Sequence, residues 1–171
     1  NLLNANSILQ SSLSDNISLN AGVNFRKLRS HNFQNLLDLM GGQYFSDIDP
    51  FFTGDAAQSD LNNPNRQVGE NESYGYNYLL HALTFDGFTQ FKFTYDKADF
   101  YLAQSFSRTE YQREGLYRNG IYANNSFGKG ESITFENFGF KGGLTYKLSG
   151  RHYFDFNGLY QTKATSLRNT F

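Results

Sequence analysis

Four aspartates, Asp47, Asp49, Asp55 and Asp60, fall in one asparagine-rich stretch of the chain. Carboxylate and carbonyl oxygens gathered in this way are what calcium takes as ligands, about six to eight per ion. Asp47 and Asp49 are the two calcium-ligand candidates. The spacing fits no EF-hand loop, and a solvated acidic loop is the preferred reading of the cluster. His31, His81 and His152 stand too far apart in sequence to suggest a metal centre, which needs three or four placed ligands, in round numbers. The chain has no cysteine, so thiolate sites and disulfides are excluded. Gly128-Lys129-Gly130 lacks the rest of a phosphate-binding loop. Nothing places Glu110 and Glu114 across a substrate as a glycosidase pair would be. No serine sits in a nucleophile elbow. The residues point to no enzyme and to no cofactor beyond the calcium candidate. The remaining candidates are aromatic. Tyr44, Phe45, Tyr117 and Tyr122 lie in polar stretches, where exposed rings suit ligand recognition; Phe51 and Phe52 are similar. Packing of loops on each other is the plainer alternative for all six.

The elements that would hold these residues are strands. The chain carries 18 Phe and 12 Tyr but no Trp and one Met, and only 39% of its residues are hydrophobic. Its apolar weight is therefore in rings set among small polar residues. That composition suits a sheet with one face in lipid and the other in water. The net charge of −1 leaves no basic footprint for nucleic acid. No run approaches the ~18 consecutive apolar residues of a membrane helix. No signal peptide opens the chain, and it ends at Phe171 without tail character; both ends read as those of a piece of a longer protein.

Period-2 alternation is cleanest from Ile17 to Phe25. There Ile17, Leu19, Ala21, Val23 and Phe25 oppose Ser18, Asn20, Gly22 and Asn24. A strand is also expected over Leu2–Gln10, with a polar turn at Ser11–Asp15. Tyr74–Tyr95 reads as one long strand with a bulge near Asp86-Gly87. Strands follow over Phe100–Arg113, Glu131–Leu148 and His152 to about Thr165. Asp96–Asp99 and Ser149–Arg151 are tight turns. Two long connections, about 29–73 and 114–130, interrupt the pattern, and a short helix is conceivable over Phe33–Leu39. In a compact soluble domain a loop of 45 residues would count against the assignment. In an outer-membrane barrel it is expected, because turns on one side are short and loops on the other are long.

The fold class expected is therefore all-β: about six long antiparallel strands of a transmembrane outer-membrane β-barrel. The span 1–171 forms a segment of one barrel domain, with 29–73 and 114–130 as extracellular loops. Tyr95, Tyr101, Tyr146 and Tyr153 flank the short turns and would form an interfacial girdle. Asn20, Asn24, Lys92, Lys141, Asp155, Asn157 and Gln161 would line the wet interior. Two other readings remain open. One is a different outer-membrane barrel, a passive porin or a secretion component. The other is a soluble β-sandwich carbohydrate-binding module, which struggles with strands far longer than the usual ~5–6 residues.

Several segments, loops included, resemble the TonB-dependent receptors of Bacteroidota that carry a carboxypeptidase-regulatory-like N-terminal domain. They are Asp38-Leu39-Met40-Gly41-Gly42-Gln43-Tyr44-Phe45 with Asp47-Ile48-Asp49, and Gln58–Arg66. A third runs from Tyr111-Gln112-Arg113-Glu114-Gly115-Leu116-Tyr117 through Gly128-Lys129-Gly130 to Lys141-Gly142-Gly143, Gly150-Arg151-His152 and Asp155-Phe156-Asn157-Gly158. Leu167–Phe171 is a fourth. The resemblance covers most of the chain from about Gly22 onward. It implies the middle portion of a barrel, roughly a quarter of one with about 22 strands, with plug and TonB box elsewhere in the parent. It also implies bacterial outer-membrane localisation and active import of a bulky nutrient, which is a small molecule, glycan or peptide. The implied partners are outer-membrane lipid, the TonB complex through parts outside this chain, and a surface lipoprotein lid.

Overall fold

The computed structural model describes residues 1–170. It is all-β, with nine strands: β1 (Leu2–Ser14), β2 (Ile17–Asn35), β3 (Phe45–Ser46), β4 (Gln67–Val68), β5 (Ser73–Thr94), β6 (Ala98–Gly115), β7 (Gly128–Lys129), β8 (Ile133–Lys147) and β9 (Tyr153–Gln161). Six of them form one antiparallel sheet in the order β1-β2-β5-β6-β8-β9. The short β7 pairs with the end of β6, and β3 pairs with β4 in a separate ribbon. β1 and β9 are the two edges of the sheet. Tight turns close β1–β2, β5–β6 and β8–β9 at one end. The connections 36–72 and 116–132 lie at the other, with β3, β4 and β7 inside them.

The register sorts side chains into two faces, because successive strand residues point to opposite sides. Ile17, Phe93, Phe100, Leu144 and Phe156 form one cross-strand row, and Leu19, Phe91, Leu102, Gly142 and Gly158 form the next. Val23, Gly87, Phe106 and Phe138, then Phe25 and Phe85, continue this apolar face toward the loop end. Its rings interlock: Phe93 stacks on Phe100 at 4.4 Å, and Phe106 packs against Phe138 at 5.3 Å. Little else covers them. Leu102 is 60% exposed, and Phe140 and Phe156 are exposed too.

The opposite face is polar. Asn20, Asn24, Lys92, Lys141, Asp155, Asn157 and Gln161 all fall on it. Asn24 Nδ2 donates to Asp86 Oδ2 at 2.6 Å, and Arg26 stands 3.7 Å from the same carboxylate. The ring of Phe88 lies where a Cβ on Gly22 would sit, so the glycine lets an aromatic pack flat on its neighbour strand.

Several expectations are corrected. β1 runs on through Ser11 and Ser12, which pair with Leu19 and Ser18, so the turn is only Asp15-Asn16. β2 extends to Asn35, which shortens the first loop and replaces the helix conceived over Phe33–Leu39. No bulge occurs at Asp86-Gly87, where pairing with Asn24 and Val23 is unbroken. The irregularity falls at Phe33/Gln34, opposite the stretch that contains Gly75 at φ +69°. Tyr101 and Tyr153 point to the polar face, because they pair with Lys92 and Lys147, and Tyr101 Oη donates to Asn157 Oδ1 at 3.0 Å. Only Tyr95 and Tyr146 of the expected girdle lie on the apolar side. β9 ends at Gln161, short of Thr165. Phe171 lies outside the described residues.

Candidate functional site

The loop end carries the best-packed part of the chain. Val68 is fully buried, and Ala57, Leu79, Asp47, Gln58 and Ser126 are buried as well. The connections 36–72 and 116–132 are joined by backbone bonds. Leu61 N–H donates to Arg118 C=O at 2.7 Å, and Gly120 N–H donates to Gln58 C=O at 2.9 Å. Asp60 Oδ1 accepts from Arg118 N–H at 2.9 Å. A Cβ at Gly120 would collide with the Asp55 carbonyl, so only glycine permits this approach.

A second fastening is Arg66. Its guanidinium lies 5.0 Å from the centroid of the Tyr117 ring, and Nη1 donates to Tyr117 Oη at 2.6 Å. Tyr117 Oη in turn donates to the Ser73 carbonyl at 3.2 Å. Arg66 Nε stands 3.9 Å from Asp47 Oδ2, and Asp47 Oδ1 accepts from Gly75 N–H at 2.8 Å. One arginine thus ties both loops to the start of β5. Arg is suited to this, because its planar fork stacks on a ring while it donates. The two connections form a single cap over the loop end.

The candidate residues separate within this cap. Tyr117 is engaged in the fastening. Phe45 lies in β3 and packs edge-on against Tyr74 at 5.1 Å. Tyr44 and Tyr122 are exposed at 50% and 62%, and Phe51 and Met40 are bare at 90% and 93%. Asp47 is buried against Arg66 and Gly75. Asp49 Oδ1 accepts from Phe51 N–H at 2.9 Å. Among the described residues no three or more His, Cys, Asp or Glu side chains are grouped to hold a metal. His31 and His81 lie on neighbouring strands, but His31 Nε2 donates to Asn77 Oδ1 at 2.6 Å and His81 Nε2 to Glu114 Oε2 at 2.9 Å. Glu110 accepts from Ser132 Oγ at 2.6 Å and does not face Glu114 across a cleft.

Below the cap, the polar face and the segment Thr162–Leu167 line a cavity of about 810 Å3. Asn6, Asn24, Arg26, Asp86, Ser107 and Asn137 contribute to its wall, with Phe88 and Tyr111. Amides, hydroxyls and one ion pair present both donors and acceptors, while the rings offer flat apolar surface. Sequence reasoning found Asn24 but missed Arg26 and Asp86. Their signal was present: both extend the polar side of an alternating strand with opposite charges. Arg66 had no comparable signal, since its partners are 19 and 51 positions away. Comparison with family models, with curated proteins and with solved structures gives no match.

Proposed function

We propose that this chain is a run of six membrane-spanning strands from a bacterial outer-membrane β-barrel, and that its parent is a TonB-dependent importer of a bulky nutrient. The observation that carries the membrane placement is the height of the apolar face. From the row of Tyr146 to the row of Glu136, ten residues of β8 separate the turn end from the first charged row, Arg108–Glu136. At ~3.4 Å per residue that is roughly 34 Å along the strand, or about 26 Å at a tilt near 40°, against the ~25 Å apolar band of such barrels. Beyond this row the same face carries Lys27, Arg29, His81, Glu110 and Gln112, the side chains of a strand that has left hydrocarbon.

A soluble sandwich would have to cover those rings with a second sheet. In lipid they are already covered, and the edges of β1 and β9 pair with further strands of the barrel, as unpaired backbone there must. The turn end then faces the periplasm and the cap faces outside. The polar face becomes interior wall, and Tyr44 and Tyr122 stand where a ligand or a lipoprotein lid arrives. The importer half of the proposal rests on the family resemblance of the cap segments.

Fractionation of cells that make the full parent chain tests both halves. The expected result is an outer-membrane protein several times heavier than 19.5 kDa, whose ligand uptake stops when the proton-motive force is collapsed. Uptake that survives the collapse would mean a passive barrel, and recovery in a soluble fraction would remove the membrane placement altogether.

A further inference from the structure

The Arg66 fastening leaves one polar atom unsatisfied. The Asp47 side chain is only 3% exposed. Its Oδ1 accepts from Gly75 N–H at 2.8 Å, but its Oδ2 is buried and accepts no hydrogen bond among the described residues. Buried polar atoms are nearly always paired, and a charged acceptor left alone is costly. The cation that faces it is Arg66, whose Nε stops 3.9 Å short. A charge-assisted N–H···O bond closes at ~2.7–2.9 Å, so about 1 Å of movement would complete the ion pair. Tyr117 holds Arg66 back: its Oη accepts from Nη1 at 2.6 Å, and its ring centroid lies 5.0 Å from the guanidinium.

The two partners of Arg66 belong to different parts of the cap. Asp47 and Arg66 extend the β3–β4 ribbon and are joined across it, since Asp47 N–H donates to the Arg66 carbonyl at 2.9 Å. Tyr117 belongs to the other connection. The backbone before Arg66 is fixed. Asn65 has a left-handed φ of +54°, and the Gln58 side chain bonds both its N–H, at 2.7 Å, and its Oδ1, at 3.0 Å. A change of partner therefore falls on the arginine side chain alone. Movement of Arg66 toward Asp47 exchanges a bond between the two connections for one within 36–72.

We infer that Arg66 is a two-position latch, which holds the cap closed through Tyr117 and releases it by closing on Asp47. In the closed position Arg66 bonds Tyr117 and leaves Asp47 Oδ2 bare. In the released position it pairs with Asp47 Oδ2 and gives up Tyr117. The completed ion pair offsets much of what the loss of the Tyr117 contact costs, so the released position is a minor state of the closed cap. Release leaves the two connections held only by the bonds of Leu61, Arg118 and Gly120 N–H, which then open together. It separates the ring of Tyr122 from those of Tyr44 and Phe51. The latch is a property of the cap and does not rest on the membrane placement.

Hydrogen exchange in the full parent chain tests this, read at single amides by fragmentation and mass spectrometry. Asp47→Asn keeps an acceptor for Gly75 N–H but gives Arg66 no anion to move to. Exchange at Leu61, Arg118 and Gly120 is expected to slow by about tenfold, the scale of one unsatisfied charged acceptor. A carboxylate that merely neutralised a fixed Arg66 would have the opposite effect, because its loss strands the guanidinium. Tyr117→Phe removes the partner of the closed position and should speed exchange at those three amides by about tenfold. The residue 47 N–H should slow severalfold in the same variant, because the ion pair now forms within its own ribbon. Faster or unchanged exchange at the three amides in Asp47→Asn overturns the latch. Where Asp47→Asn melts the ribbon, seen as lost protection at residue 47 itself, Tyr117→Phe decides alone: exchange at residue 47 that does not slow means that Arg66 has no second position, and the latch is overturned.

Discussion

Leu102 and Ala103 are adjacent in β6 and point to opposite faces, which makes them a sharp probe of what each face touches. Leu102 is 60% exposed. In a water-soluble sheet, arginine there would be one more surface charge, and such changes usually stay within about 0.5 kcal/mol. In lipid the same arginine sits one row from the centre of the apolar band. The cost of Arg is about 2–4 kcal/mol at the midplane and about 0–1 near the interfaces. One row is ~7 Å along the strand, or about 5 Å of depth, so Leu102→Arg should cost about 2–3 kcal/mol. Ala103→Arg is the control. It adds the same charge to the polar face beside Gln90 and opposite Lys141. Repulsion from Lys141 adds only ~0.2–1 kcal/mol. The assay is urea unfolding of the parent chain refolded into phospholipid vesicles, followed by the gel mobility of the folded form. A Leu102→Arg penalty below about 0.5 kcal/mol, or an equal penalty at both positions, would refute the assignment of the faces.

Arg66→Ala removes a stacked, charged donor from Tyr117 and leaves the buried Asp47 carboxylate with only its backbone partner. Local opening of the cap should become easier by about 1–3 kcal/mol, read as faster amide exchange across 58–66 with the strands unaffected. Gly120→Ala forces a Cβ into the Asp55 carbonyl and should undock the two connections, raising their proteolytic sensitivity. Gly150→Ala, at a turn where a Cβ meets nothing, should leave it unchanged. Tyr44→Ala with Tyr122→Ala should weaken ligand capture by titration without changing the unfolding midpoint, because both rings are exposed and neither joins the fastening of the cap. Chelation with EDTA should leave cap proteolysis unchanged, since Asp47 and Asp49 already accept from backbone N–H groups. Faster cleavage on chelation would point to a cation among the aspartates.

The strands were legible in the sequence wherever one side of the alternation was apolar and the other polar. Ile17–Phe25 and Phe138–Lys147 have that contrast, and their faces are as expected, although the strand stops one residue short of Leu148. From Arg26 to Asn35 both sides of β2 are mostly polar, with Arg26, Ser30 and Asn32 opposite Lys27, Arg29 and His31, and only Leu28 on one side and Phe33 on the other are apolar. Period 2 then leaves no trace, and a strand looks like loop. The same loss hid the full length of β1, whose serines alternate with nothing distinctive. Asp86-Gly87 resembled a bulge because glycine usually marks one. Here Gly87 keeps its pairing with Val23, and its missing side chain opens a furrow instead. The cap was illegible for a different reason: its fastenings are long-range. Nothing near Arg66 announces Tyr117, and nothing near Gly120 announces the Asp55 carbonyl.

That division matters for how such a molecule would capture a ligand. The aromatic residues singled out in the loops have similar sequence surroundings, yet the cap uses them differently. Tyr117 and Phe45 hold the cap together, and Tyr44, Tyr122 and Phe51 face outward. Rings carried on separate, mobile loops would each lose conformational freedom on binding, at about 0.5–1.5 kcal/mol per ordered side chain and more for the backbone. Fastening 36–72 to 116–132 through Arg66, Asp60 and Gly120 meets most of that backbone cost during folding. The outward rings then belong to one body, which rests on strands that rise above the apolar band. On the importer reading proposed above, a ligand or a lid would meet a preformed surface held in part by the Arg66–Tyr117 contact. Exchange protection of the cap with and without bound ligand should therefore differ little in the parent chain. It should differ greatly in Arg66→Ala, where binding must restore the order that the arginine supplied.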